Sequence, residues 1–323
     1  MKIGLTTDGL GHLGIEELLE TAAEMGIECL EPGTGNWSPA PHISLDHLLE
    51  EPAARTELLA KVRDHGLSIS ALNCSGNQLA PGTAGEQHAD VVRKTLRLAS
   101  LLELDRVVMM SGLPGGPGDA NPNWIITAWP PENAEILRWQ WQEVAIPYWR
   151  DLAAEARNLG VRRIALELHG GQLAYSAETL LQLRDAAGEA VGANLDPSHI
   201  FWMGGDPIEL VYALGDAIFN VHAKDTRIEP RRAAVNTLLE SKPNARVAER
   251  SWNYATLGYG HDEGWWRRFV AALRAVGYDD VLSIEHEDYV AGRVEGIRKA
   301  VQLLQSVLLR ETSDYADPVP AAG

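Results

Sequence analysis

Short runs of β-branched and apolar residues alternate along the chain with longer stretches whose apolar positions recur every three to four residues. This is the pattern of repeated strand and helix units built around a parallel sheet. Eight strands are predicted, over residues 2–7, 27–31, 68–74, 106–111, 163–169, 192–196, 218–224 and 281–287, each followed by a helical pattern. In the first helical stretch Ile15, Leu18, Leu19 and Ala22 form one stripe, Glu16, Glu17 and Glu20 lie outside it, and Gly26 supplies the stop. The same grammar recurs in Leu58, Leu59 and Val62 before Gly66, in Leu96, Leu98 and Leu101 before the fourth strand, and in Leu152, Ala156 and Leu159 before Gly160. Eight such units predict an α/β fold closed into a (β/α)8 barrel, because an open sheet of that size would leave two unpaired edges.

Two connections exceed ordinary loops: residues 112–133, after strand four, with Trp124 and Trp129, and residues 226–260, after strand seven, with Trp252, Tyr254 and Tyr259. Both fall on the face where barrel active sites sit, so they are expected to act as lids whose aromatic rings shape a pocket; the plainer alternative is that the rings pack the loops down. Residues 1–310 read as a single barrel domain and residues 311–323, polar with two prolines, as a disordered tail.

Composition narrows the partners. The chain has 323 residues, 45% hydrophobic and 23% charged, as expected of a globular protein with a large core. Its net charge of −17 repels phosphate backbones and anionic membranes, so neither nucleic acid nor a membrane is an expected partner. The only cysteines, Cys29 and Cys74, lie in apolar runs and suit buried thiols in a reducing compartment. No export signal or run of about 18 apolar residues is visible, and a cytoplasmic location is expected.

Four predicted strands end in a residue able to bind a metal: Glu167 in the fifth, Asp196 in the sixth, His222 in the seventh and Glu285 in the eighth. One strand-end acid would be read as a salt bridge or helix cap. Four on successive strands of a barrel surround a common axis and offer three carboxylates and one imidazole, a donor set for one divalent cation, with Mn2+ the first expectation and Mg2+ or Co2+ as alternatives.

The ordered set of Glu167, Asp196 with His199 in Asp-x-x-His spacing, His222 and Glu285 resembles the sugar isomerase and epimerase family of xylose-isomerase-like TIM barrels over roughly residues 2–310. The resemblance implies that Glu167, Asp196, His222 and Glu285 hold the cation, that His199 contacts substrate, and that the reaction moves a proton beside a carbonyl through an enediolate. Glu167 and Glu285 are then also candidate catalytic groups. Related ketose 3-epimerases carry an acid six positions after the first metal glutamate, where this chain has Leu173. It offers instead His169, two residues after Glu167 and on the same strand face, as a candidate general base or an orienting residue.

The Glu-x-His pattern also resembles the catalytic subunit of C-glycoside deglycosidases, which makes β-elimination from a 3-oxo-glycoside the second reading. A third, an endonuclease IV-like nuclease, is disfavoured by the acidic charge and by Asn73, Cys74, Ser111 and Gly112 where extra histidines would be needed. Other expected substrate contacts are Lys224, Arg227, Asn73, Trp124 and Trp252, while Ser111 reads as loop capping, His286 as packing, and residues 112–118 as a flexible lid segment. The expected ligand is an unphosphorylated sugar, oxo-sugar or glycoside, and a homo-oligomer or a small partner subunit is compatible with the chain.

Overall fold

The structure, a computed structural model, describes residues 1–315. Strands β1 (Lys2–Thr6), β2 (Cys29–Glu31), β3 (Ser68–Ile69), β4 (Leu72–Asn73), β5 (Arg106–Met110), β6 (Arg163–Glu167), β7 (Val191–Leu195), β8 (Ile218–Ala223) and β11 (Val281–Ile284) form one parallel sheet in the order β3-β2-β1-β11-β8-β7-β6-β5-β4. Strands β9 (Asp225–Ile228) and β10 (Trp252–Ala255) pair antiparallel outside it.

The two ends of the nine-strand order, β3 and β4, are successive pieces of the predicted third strand, so the sheet closes through it. Its hydrogen bonds change partner midway: the Ser70 amide donates to the Leu30 carbonyl at 2.9 Å, while the Cys74 amide donates to Val108 at 3.0 Å. One stave of the barrel is therefore split where it leans from β2 towards β5, and the α/β barrel expected from the pattern is the fold.

The helices pack outside. Helix Ile15–Met25 buries Leu18, Leu19, Ala22 and Met25 and ends at Gly26, whose φ of 85° is the left-handed conformation that glycine adopts at no steric cost. Trp149, Trp266 and Phe269 are fully buried in the layer between strands and helices. Inside the barrel the side chains alternate with that layer. Ala71, Val108 and Ala165 make a small apolar patch there, but Glu31, Asn194, Asn220 and Ser283 are also fully buried, so much of the interior is polar. Cys29 and Cys74 are buried free thiols, and burial pushes the Cys74 thiol up to about 12.

The two long connections differ from expectation and from each other. The one after β8 contains the β9–β10 hairpin and helix Pro230–Asn236, a hairpin that loop composition had concealed. The one after β5 carries no regular element until helix Glu132–Trp139, a π-helical turn at Gln140–Ala145 and helix Ile146–Asn158. No helix among the described residues is long and apolar enough to cross a membrane. The expected tail lies outside the described residues from position 316 onward; residues 311–315 are exposed and form no helix or strand.

Candidate metal centre

The C-terminal ends of the barrel strands open into a cavity of about 710 Å³. Glu167 ends β6, Asp196 follows β7, His222 is the fifth residue of β8 and Glu285 follows β11. Each offers one donor atom, and these atoms all lie within 4.8 Å of one another. Asp196 shows how local sequence builds this: it caps helix Pro197–Met203, with proline at the first turn and Oδ1 accepting the Ser198 amide at 2.8 Å, which turns Oδ2 towards the cluster.

The donor chemistry fits a cation. Asp196 Oδ2, His222 Nδ1 and Glu285 Oε2 are buried and make no hydrogen bond, although His222 Nδ1 lies 3.1 Å from Glu167 Oε2 and 2.9 Å from Glu285 Oε2. Lone pairs crowded this closely without aligned donors are costly to bury unless a positive charge joins them. The orientation of His222 is set from outside the cluster: Nε2 donates to Glu31 Oε1 at 2.8 Å, so Nδ1 faces the carboxylates.

The charges are strongly coupled. Burial opposes protonation of His222, but Glu31, Glu167 and Glu285 outweigh it and hold its pKa well above the usual imidazole range. Burial likewise opposes ionisation of Glu167, yet the hydrogen bond from His199 and the positive charge of nearby His222 hold its carboxyl well below the usual range. For Glu285, the Lys224 ammonium overcomes burial and brings the pKa to about 2. His199, with Nε2 2.9 Å from Glu167 Oε1 and 3.1 Å from Asp196 Oδ2, is raised to about 9 by Asp196 and Glu167 against its burial. His169 goes the other way: burial, then the charge of nearby His199, lowers it to about 3.

Around the cluster, His169, His199, Lys224 and Asn73 line the cavity, as the sequence reading placed them. His169 lies 4.0 Å, ring to ring, from His199. Lys224 pairs with Glu285 at 3.1 Å and Glu287 at 2.7 Å and sits 4.3 Å over the Tyr254 ring. Asn73 donates to Glu31 at 2.8 Å.

Three residues expected to touch substrate lie elsewhere. Arg227 pairs with its neighbour Glu229 at 2.7 Å on the hairpin and does not reach the cavity. Trp252 is buried, stacked on Trp202 at 5.1 Å with its indole N–H on the Leu238 carbonyl, so it packs the hairpin. Trp124 faces Tyr175 in a separate side cavity of about 200 Å³. The loop after β5 therefore does not cover the main cavity, and Leu173 lines the side cavity too. Ser111 accepts the Ala174 amide at 2.9 Å, a loop-pinning role. His286 also borders the main cavity while packing against Gly296 at the start of the last helix.

The sequence reading missed Glu31, Asp8, and the mouth residues Trp37, Asn244 and Tyr289, all of which line the cavity. Glu31 carried a usable signal: like Asp196, it is an acid at a strand end followed by proline. Burial raises the Asp8 carboxyl above its usual range.

Comparison with known proteins agrees with this fold. Residues 19–307 match the family described as xylose isomerase-like TIM barrel. The chain is 48% identical over 311 residues, 95% of its length and 99% of the other's, to protein YfiH of Bacillus subtilis (strain 168). Among solved structures it resembles the IolI protein with a zinc atom (TM-score 0.64, 21% identity, 95% and 98% of the two chains). It also resembles D-psicose 3-epimerase in the presence of D-fructose (TM-score 0.60, 15% identity, 95% and 99% of the two chains).

Proposed function

The chain belongs to the xylose isomerase-like TIM barrel family, and from that membership we propose that it is a divalent-metal-dependent isomerase or epimerase that moves a proton beside the carbonyl of a small sugar. The observation that carries this reading is the convergence of Glu167, Asp196, His222 and Glu285, of which Glu167 and Glu285 line a cavity large enough for such a substrate. Three carboxylates and an imidazole suit Mn2+, with Mg2+ or Co2+ as alternatives, and the zinc atom in the IolI structure supports a divalent ion at a site on this fold. When bound, such an ion supplies Lewis-acid polarisation of a carbonyl oxygen.

The chain's own groups supply the rest. His169 Nδ1 lies against the Gly170 carbonyl, which can only accept, so Nδ1 carries the proton and Nε2 keeps a lone pair. Its burial keeps it neutral, so that lone pair is free to accept from a substrate group in the cavity. Lys224 is a fixed positive charge in the cavity wall, placed to stabilise negative charge developing on a substrate oxygen. Tyr254 donates to or accepts from His199 Nδ1 at 3.1 Å and so fixes that ring beside Glu167 and Asp196.

A second reading is elimination from a 3-oxo-glycoside. What favours it is the cavity volume of about 710 Å³ together with Trp37 and Tyr289, 55% and 61% exposed, at its mouth, which offer room and aromatic surface beyond one sugar ring. The acidic lining, with Asp8, Glu31, Glu287 and Asp288, disfavours a nucleic-acid backbone.

One experiment separates the first two readings. With metal-loaded protein in D2O, the isomerase or epimerase reading expects deuterium in the recovered ketose or oxo-sugar, lost in His169→Ala. Release of an aryl aglycone from a 3-oxo-glycoside, with no exchange into free sugars, would establish elimination instead.

A further inference from the structure

A buried arginine enters the barrel from the end opposite the cavity. Arg106, the first residue of β5, is 3% exposed. One arm of its guanidinium pairs with Asp280, which is also held by Arg163 at 3.4 Å; the other donates to Asn220 Oδ1 at 3.1 Å. Asn220, fully buried on β8, turns its amide nitrogen upward and donates to both Glu31 Oε2 at 3.1 Å and Asn194 Oδ1 at 3.0 Å. The amide cannot be reversed without setting its N–H groups against the guanidinium and its oxygen against a carboxylate.

From Asn220 the chain of hydrogen bonds forks towards two of the four cluster residues. Through Glu31 it reaches His222 Nε2 at 2.8 Å. Through Asn194, whose Nδ2 donates to Glu167 Oε2 at 3.0 Å, it reaches the end of β6. Five barrel strands, β2, β5, β6, β7 and β8, are thus tied through one carboxamide. Closing the floor of a barrel requires only apolar side chains, as Ala71, Val108 and Ala165 show in the same interior. A buried arginine and two buried asparagines are an expensive substitute for them unless their geometry is used.

We propose that Arg106 and Asn220 are positioning residues, a polar spine running from the barrel floor that holds Glu31 and Asn194 in place and thereby sets the orientation of His222 and Glu167 for cation binding. The inference rests on the metal reading of the cluster given above. Loss of an outer hydrogen-bond partner of a metal ligand typically weakens affinity about 10–100-fold; Arg106 and Asn220 act one bond further out, through Glu31 and Asn194, so the lower end, about 10-fold, is the expected effect here.

The test uses the full chain freed of metal and titrated with Mn2+ alone by calorimetry. Asn220→Asp keeps the acceptor for Arg106 but replaces the two upward donors with a negative charge facing Glu31. Arg106→Met removes the donor from below while Arg163 still pairs with Asp280, so this variant remains informative where Asn220→Asp fails to fold; Arg106→Lys restores one donor. Val108→Ala thins the apolar side of the same interior and serves as the control for general loosening. The proposal expects affinity to fall about 10-fold in Asn220→Asp and Arg106→Met, to recover in part in Arg106→Lys, and to stay at the wild-type value in Val108→Ala even at a lower Tm. Wild-type affinity in Asn220→Asp and Arg106→Met, or an equal fall in Val108→Ala, would overturn it. If the wild type takes up no Mn2+, the titration is repeated with Mg2+ and Co2+; if it takes up none of the three, the metal reading fails, and the spine is judged by the imidazole N–H resonance of His222: slow exchange in the wild type and fast exchange in the variants upholds it, equal exchange overturns it.

Discussion

His222 donates its Nε2–H to Glu31 across 2.8 Å, and the pair is separated by 191 positions in the chain. That bond leaves Nδ1 as the atom presented to Glu167, Asp196 and Glu285, so the carboxylate of Glu31 decides which nitrogen the cluster can use. Glu31→Gln keeps the shape and removes the charge. Its expected outcome is a metal affinity lower by about 10–100-fold, measured by titration of the metal-free protein; an unchanged affinity would show that the charge of Glu31 is not needed, since the glutamine oxygen still accepts the Nε2–H.

Asp196 separates capping from coordination. Asparagine caps a helix as well as aspartate, so Asp196→Asn should preserve the bond to the Ser198 amide and hold Tm close to the wild type, while metal retained through purification falls sharply. Glu167→Gln should lose metal as well. Full occupancy by elemental analysis in both variants would remove these residues from the cation site.

The low pKa of His169 makes a signed prediction about pH. Its folded value of about 3 lies below the ordinary 6.5, so between these values the unfolded chain binds the proton more readily and stability falls as pH falls. The contribution is complete above about pH 6.5 and is lost towards pH 3, with a slope of at most about 1.4 kcal/mol per pH unit. The difference in Tm between the metal-free wild type and His169→Gln should therefore move against the wild type as pH drops from 7 to 5. A pH-independent difference would mean that His169 is not held neutral in the folded protein.

The aromatic residues of the main and side cavities should behave differently in kinetics. Trp37→Ala and Tyr289→Ala, at the mouth of the main cavity, are expected to raise KM about 2- to 10-fold, the size of an aromatic contact of about 0.5–1.5 kcal/mol. Trp124→Ala, which opens the side cavity, should leave KM unchanged. The opposite ranking, measured with whichever substrate the exchange experiment identifies, would return the lid role to the loop after β5.

Local periodicity by itself determined the eight strand and helix units, the helix stops such as Gly26, and the four strand-end donors, because strand alternation and parallel winding bring every such end to one side of the barrel. It also brought His169, Lys224 and Asn73 to the cavity, since each follows or ends a barrel strand, whereas His199, on the helix after β7, was expected there only through the family resemblance. What only the tertiary structure decided depends on contacts between distant positions. Arg106 meets Asn220 across 114 residues, Glu31 meets His222 across 191, and neither partner's local sequence says which residue stands across the barrel. The aromatic positions failed for the same reason. Trp124 and Trp252 stand in long connections above the correct face, but rings are steered by the nearest apolar surface, and for these two it is Tyr175 and Trp202 rather than the cavity. Trp37 and Tyr289, in connections that drew no notice by length, were left at the mouth because the strands flanking β1 end there.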